Sequence, residues 1–287
     1  MKCEANEVEK VKEVQEKSAA GAAFLDIDGT LLVKPSLERR FFWELQRCGK
    51  IPARNYFSWL AETARLGLPD PRQLRAVAQT NKSYLRGVRA EIPFASGADH
   101  GSAGPQGWLP EFFPAAIQRV WWHALRGDAI VLVSGTLAPL TEIVKFALQR
   151  ELRWRGVECK ISVIATQLEI SAGYWTGRVA GAAIFGDEKA LAVKEFARAQ
   201  NISLACCSAY GDSSLDRWML AEVGHAFAVN PTRRLRGIAR SRGWPILSWT
   251  HCAVRTASEQ RAAREQRTTN KQRGLRKSLK LKRQAAR

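Results

Sequence analysis

Short apolar runs separated by segments of helical spacing constrain this chain most. The runs lie at residues 22–25, 129–133, 161–166, 202–210 and 225–229. Strand and helix alternating in this way indicate an α/β fold with a parallel sheet and helices on both faces, a three-layer Rossmann-like core. The stretch "LEISAGYWTGRVAG" interrupts the alternation and reads as a hairpin turning at Ala172 and Gly173. Further helices are expected from about 139 to 150, over "DEKALAVKEFARAQ" and "SSLDRWMLAEVG", and over "PTRRLRGIARSRG" with proline at its start.

One interval is too long for a simple crossover. Between the first run and the second, residues 36–88 carry three segments with apolar residues three and four apart, punctuated by Gly49, Gly67 and Gly87. They read as an inserted helical domain. Glycine-rich "ASGADHGSAGPQGWLP" follows as a loop or hinge. The expected division is a charged lead-in at 1–20, a core at 21–34 and 108–250, a helical insertion with its hinge at 35–107, and a basic disordered tail at 251–287.

The 287-residue chain is 46% apolar, enough to bury a sizeable core. Its net charge of +18 suits anionic partners. That surplus is uneven: residues 255–287 hold twelve Lys and Arg against Glu259 and Glu265, a share of +10. The tail reads either as a solubilising extension or as weak docking to nucleic acid or anionic lipid. No apolar run is long enough to span a membrane, and the mixed-charge N-terminus does not resemble a secretory leader. The six cysteines form no CxxC pair, and Cys206 and Cys207 sit in an apolar run expected to be a buried strand. Reduced thiols in a cytoplasmic protein follow. The pattern carries no signature of oligomeric state.

The chemistry gathers where apolar runs end. Ligands of open parallel sheets bind beyond the carboxyl ends of the strands. Asp26 and Asp28 follow "AAFL", Ser134 follows "AIVLV", and Asp212 follows "ISLACCSAY". Convergent carboxylates without His or Cys favour magnesium, held by Asp26, Asp212 and the backbone carbonyl of Asp28. Asp26 could act as a nucleophile on phosphorus, and Asp28 could move a proton at the leaving oxygen. Ser134, the backbone around Gly135 and Lys189 could receive the charge of a transferred phosphoryl group. Each signal is weak alone. DxDG also fits a capped turn or a glycosyltransferase metal site, a serine after a strand is often a helix cap, and Lys194 competes with Lys189 from mid-helix.

Taken in order, "DIDGT", "VLVSGT", the lysine of "GDEK" and "GDSSLD" resemble the four motifs of the haloacid dehalogenase (HAD) superfamily. The helical insertion after the first motif and the trailing "GHAFAVNPTRRLRGIARSRGWPIL" resemble its phosphoserine phosphatase-like branch, subfamily IB. The resemblance implies Asp26 as nucleophile and Asp28 as general acid/base. It implies phosphate binding by Ser134 and Lys189, and a magnesium site with Asp212. Asp216 would support the metal waters or Lys189, and Thr30 would help fix the first loop. Two positions depart from that branch. Where it carries a glutamate for the substrate's amino group, this chain has Pro35, with Glu38 the nearest acid. Where it has asparagine before the last aspartate, this chain has Leu215.

His123 and His225 read as packed or surface histidines. Trp43, Trp59, Trp121 and Trp122 read as core or insertion packing. The expected function is magnesium-dependent hydrolysis of a small phosphorylated metabolite through an aspartyl phosphate. Transfer to an acceptor other than water, or a binding protein on this scaffold that grips nucleic acid or anionic lipid through its tail, are the alternatives.

Overall fold

The computed structural model describes residues 21–67, 77, 80–90 and 110–250. The expected lead-in, residues 71–76, 78 and 79 of the third helical segment, the glycine-rich stretch apart from Pro110, and the basic tail lie outside the described residues.

Six parallel strands form one sheet in the order β3-β2-β1-β6-β7-β8. They are β1 (Ala22–Leu25), β2 (Ala129–Leu137), β3 (Ile161–Thr166), β6 (Ser208–Gly211), β7 (His225–Val229) and β8 (Ile246–Leu247). β4 (Leu168–Ser171) and β5 (Tyr174–Val179) make the separate hairpin. Its turn is at Ala172 and Gly173, both with positive φ, as the twist of a two-residue hairpin demands.

Strand β1 explains the layering. Successive side chains of a strand point to opposite faces. Ala23 and Leu25 enter one apolar cluster with Ala116 and Val120 of α3 (Pro114–Leu125) and Leu140, Val144 and Leu148 of α4 (Ala138–Trp154). Ala22 and Phe24 enter the other, with Val193 of α5 (Asp187–Ala199), Met219 of α6 (Arg217–Glu222) and Leu235 of α7 (Arg233–Arg242). All four β1 side chains are buried, which is why the run is apolar throughout rather than alternating. The layers are therefore helix, sheet, helix, as expected.

Between β1 and β2 the chain forms α1 (Leu37–Arg47), α2 (Ala53–Gly67) and a 3-10 turn, Ser83–Leu85. Ser36 caps α1 by accepting the Arg39 amide at 3.4 Å. Residues 87–90 bond to the β4–β5 hairpin: the Gly87 amide donates to Trp175 at 2.8 Å, and the Trp175 amide to Val88 at 2.9 Å. Trp175 is buried edge-on to Phe41. Gly177 permits this approach, because a Cβ there would lie 2.9 Å from the Ser83 Cα.

Four sequence expectations need correction. Residues 134–136 lie inside β2, not after it, because Leu137 still pairs with Thr166 beyond a register shift. The run 202–210 is a strand only from Ser208. Leu204–Cys206 forms a 3-10 turn whose Leu204 carbonyl accepts the Gly224 amide, and Cys206 is exposed while Cys207 is buried. Helix α6 starts at Arg217 rather than Ser213, because the Asp216 carboxylate accepts from the Ser213 amide and hydroxyl and holds a turn there. Pro231 precedes α7 without opening it; Thr232 is the cap, and left-handed Gly243 ends the helix. The short β8 was not anticipated at all.

Candidate active site

The strand order reverses direction between β1 and β6, the place where an open α/β sheet leaves a crevice at its carboxyl edge. Asp26 lies one residue past β1, and its amide donates to the Tyr210 carbonyl of β6 at 3.0 Å. Asp212 lies one residue past β6. Each side chain thus stands on the end of a rigid, buried strand.

Four groups lock together around Asp26. Lys189, third residue of α5 and almost fully buried, donates to Asp26 Oδ1 at 2.6 Å and to Asp216 Oδ1 at 2.7 Å. The Thr30 hydroxyl donates to Asp26 Oδ2 at 3.2 Å. Oxygens of Asp26, Asp212 and Asp216 all lie within 4.8 Å of one another. The second Asp216 oxygen accepts from Ser213, so Asp216 is occupied on both sides. Lys194, the competing lysine, pairs with Glu222 at 3.0 Å instead.

Asp28 faces elsewhere. Its Oδ1 accepts the Leu37 amide at the start of α1, and its Oδ2 accepts the Thr136 hydroxyl of β2, each at 2.7 Å. One carboxylate therefore ties the core strand to the first inserted helix. The Ser134 hydroxyl is buried and accepts the Thr136 amide at 3.1 Å. Gly135 is covered by the Phe185 ring, and a Cβ there would fall 2.0 Å from a ring carbon.

Lys34 was not picked out from the sequence. Its Nζ sits 2.8 Å from Asp212 Oδ2, although the side chain is 62% exposed. The Lys34 stem crosses Gly29, where a Cβ would lie 2.7 Å from Lys34 Cε and 2.5 Å from Asp212 Oδ2. With φ at +92°, Gly29 is required both by its backbone and by that crowding. Thr136 could have been read from "SGT" as a further polar group; nothing in the sequence marks Lys34.

Burial pushes the Asp26 carboxyl well above the ordinary carboxylate range; Lys189 opposes this, and Asp216 and Asp212 add to it. Burial also raises Asp28 against the hydrogen bonds from Thr136 and Leu37, and lifts Asp212 to about 6. For Lys189, burial works against the charge, yet Asp216 and Asp26 more than reverse it and hold the ammonium above its usual value. The oxygen-only donor set fits a hard divalent cation such as magnesium rather than zinc.

His123 is buried away from the crevice, between Asp128 at 2.7 Å and the Tyr210 hydroxyl at 2.8 Å, and His225 is exposed. Trp59 and Trp121 are half-buried, as packing residues should be. Trp43 and Trp122 are instead 46% and 43% exposed, each beneath an arginine guanidinium.

Residues 23–221 match the haloacid dehalogenase-like hydrolase family. The chain is 30% identical over 235 residues to phosphoserine phosphatase SerB1 of Mycobacterium tuberculosis, covering 78% of this chain and 70% of that protein. It is 36% identical over 141 residues to a probable phosphatase of the same organism, across 49% of this chain, and spans less than half, 45%, of that relative's length. A Bordetella pertussis crystal structure of unknown function superposes with a TM-score of 0.60 at 26% identity, over 80% of this chain and 99% of the other. A probable phosphoserine phosphatase from Vibrio cholerae shares the fold, with a TM-score of 0.51 at 18% identity over 76% and 58% of the two chains. With the four motifs converging at one sheet edge and the family match spanning most of the described chain, the protein belongs to the haloacid dehalogenase-like hydrolases.

Proposed function

We propose that this chain is a magnesium-dependent phosphatase of small phosphomonoesters, working through an aspartyl phosphate on Asp26. The observation that carries this reading is the double grip on Asp26 by Lys189 and Thr30 at the switch point, with Asp212 across from it.

Asp26 attacks phosphorus as its bond to the ester oxygen breaks. Asp28 gives its proton to that departing oxygen. Burial favours the protonated carboxyl that this step needs. Asp28 then takes a proton from water, and the water oxygen attacks phosphorus and frees Asp26. Lys189 and the Ser134 hydroxyl receive phosphoryl oxygens, with the backbone at Gly135 beside them. Asp26, Asp212 and the Asp28 carbonyl would hold magnesium, which when bound offsets charge on the acids and the phosphate. Asp216 positions Lys189.

The inserted block at 35–107 serves as a cap that selects substrate and excludes water, flanked by the core at 21–34 and 108–250. Asp28 supports this, since it bonds to both parts. A cytoplasmic setting belongs to the same proposal.

The test is phosphate release from p-nitrophenyl phosphate with and without magnesium. Asp26→Asn should lose at least about 10³-fold in kcat. An active wild type matched by an equally active Asp26→Asn would overturn the mechanism.

A further inference from the structure

Beside Asp28 stands a second polar cluster that the catalytic steps do not use. Glu38 follows Leu37, whose amide grips Asp28, so it lies in the first turn of α1 next to the proton-transfer group. Its charge is felt at Asp28. Glu38 Oε1 accepts from Lys82 Nζ at 2.5 Å and from the Tyr84 hydroxyl at 2.9 Å. Lys82 is 3% exposed and Tyr84 7%, both fixed by the turn around Ser83–Leu85. Asn81 anchors that turn, accepting from the Ser83 amide and hydroxyl while donating to Thr63 and to the Trp59 carbonyl of α2.

The two Glu38 oxygens are unequal. Oε1 carries two donors. Oε2 accepts from no group among the described residues, and the side chain keeps 19% exposure. An open, rigidly held acceptor thus stands on the residue next to the Leu37 amide that grips Asp28, the proton-transfer group of the proposed mechanism. Its charge is already matched, because the Lys82 ammonium is buried against it. An incoming ammonium would meet a neutral pair and the repulsion of Lys82, and would lose its own hydration. An uncharged hydroxyl needs only the acceptor.

We propose that Glu38, neutralised by Lys82 and set by Tyr84, is the specificity-determining residue for the alcohol part of the substrate, and that it selects a phosphomonoester bearing a neutral hydroxyl over one bearing an ammonium. This rests on the phosphatase reading above and names the substrate class for the same site. A buried ion pair costs desolvation and is a poor stabiliser beside a packed apolar pair, so a purely structural strap is the weaker use of these residues.

Two isosteric substrates test it: 2-hydroxyethyl phosphate and 2-aminoethyl phosphate. The wild type should favour the hydroxyl compound by at least about tenfold in kcat/KM, the difference falling in KM. Lys82→Gln keeps a donor to Glu38 without the charge and should move the ratio at least about tenfold toward the amine. Lys82→Met should move it the same way, and thermal melting identifies which variant is folded. A wild type that hydrolyses p-nitrophenyl phosphate but treats the two isosteres alike overturns the proposal and leaves the phosphatase reading standing. So does a folded Lys82 variant with an unchanged ratio. A wild type that hydrolyses no phosphomonoester overturns both.

Discussion

Lys34 is the residue whose place has the sharpest consequence. Its ammonium already sits on Asp212 Oδ2, an oxygen of the carboxylate proposed to hold magnesium. On that proposal, Lys34 and the cation compete for the same carboxylate. The pair is solvent-screened on the lysine side, which limits its strength. Lys34→Met should tighten magnesium binding about two- to fivefold in calorimetric titration. Unchanged or weaker affinity would mean that Lys34 does not compete at that oxygen. Most of the acids and Lys189 were legible because each sits one to three residues from a strand end or a helix start. Lys34 was not, because a flexible side chain reaching back across Gly29 leaves no local pattern. Glu38 was noted only as the acid nearest to Pro35. Its partners Lys82 and Tyr84 are over forty residues away, and no spacing rule connects them.

At the scale of elements, Asp128 fastens the end of α3 to the start of β1. Its Oδ1 accepts the Gly21 amide at 3.3 Å, and Oδ2 meets His123 Nδ1 at 2.7 Å. Burial acts to raise this carboxyl, but the bonds and charges of His123 and Arg126 and the Gly21 amide outweigh it and hold it below the usual range. A lowered folded pKa means the carboxylate's stabilisation is complete above the unfolded value of about 3.9, and is lost as pH falls through the folded value. Asp128→Asn should lower stability at pH 7 and flatten the acid limb of urea melts between about pH 5 and 2. An acid limb as steep as the wild type's would show that Asp128 is not its source. The elements read best from sequence were those whose local pattern decides burial: β1, apolar and buried throughout, and α5, whose buried Ala190, Val193 and Ala197 recur three and four residues apart. Misreadings fell where hydrogen bonding to neighbours overrode the local pattern. The Leu204 carbonyl turns toward Gly224, and the Asp216 carboxylate delays α6.

Over the whole molecule, one carboxylate edge gathers groups that lie up to 190 residues apart, from Asp26 to Asp216. The parallel order does this: β1 and β6 are neighbours in space although β2, β3 and the hairpin intervene in the chain. Sequence alternation gave the layers, and the strand ends gave the residues proposed as the catalytic set. Neither could show that Asp28 bridges the core and α1, which on the proposed mechanism links leaving-group chemistry to the inserted helices. The most direct measurement is acid quenching of a single turnover in magnesium with ³²P-labelled substrate, followed by peptide mapping. The expected result is label on the peptide that contains Asp26, absent from Asp26→Asn. Rapid phosphate release with no label on that peptide at any time point, while Asp26→Asn still turns over, would contradict it.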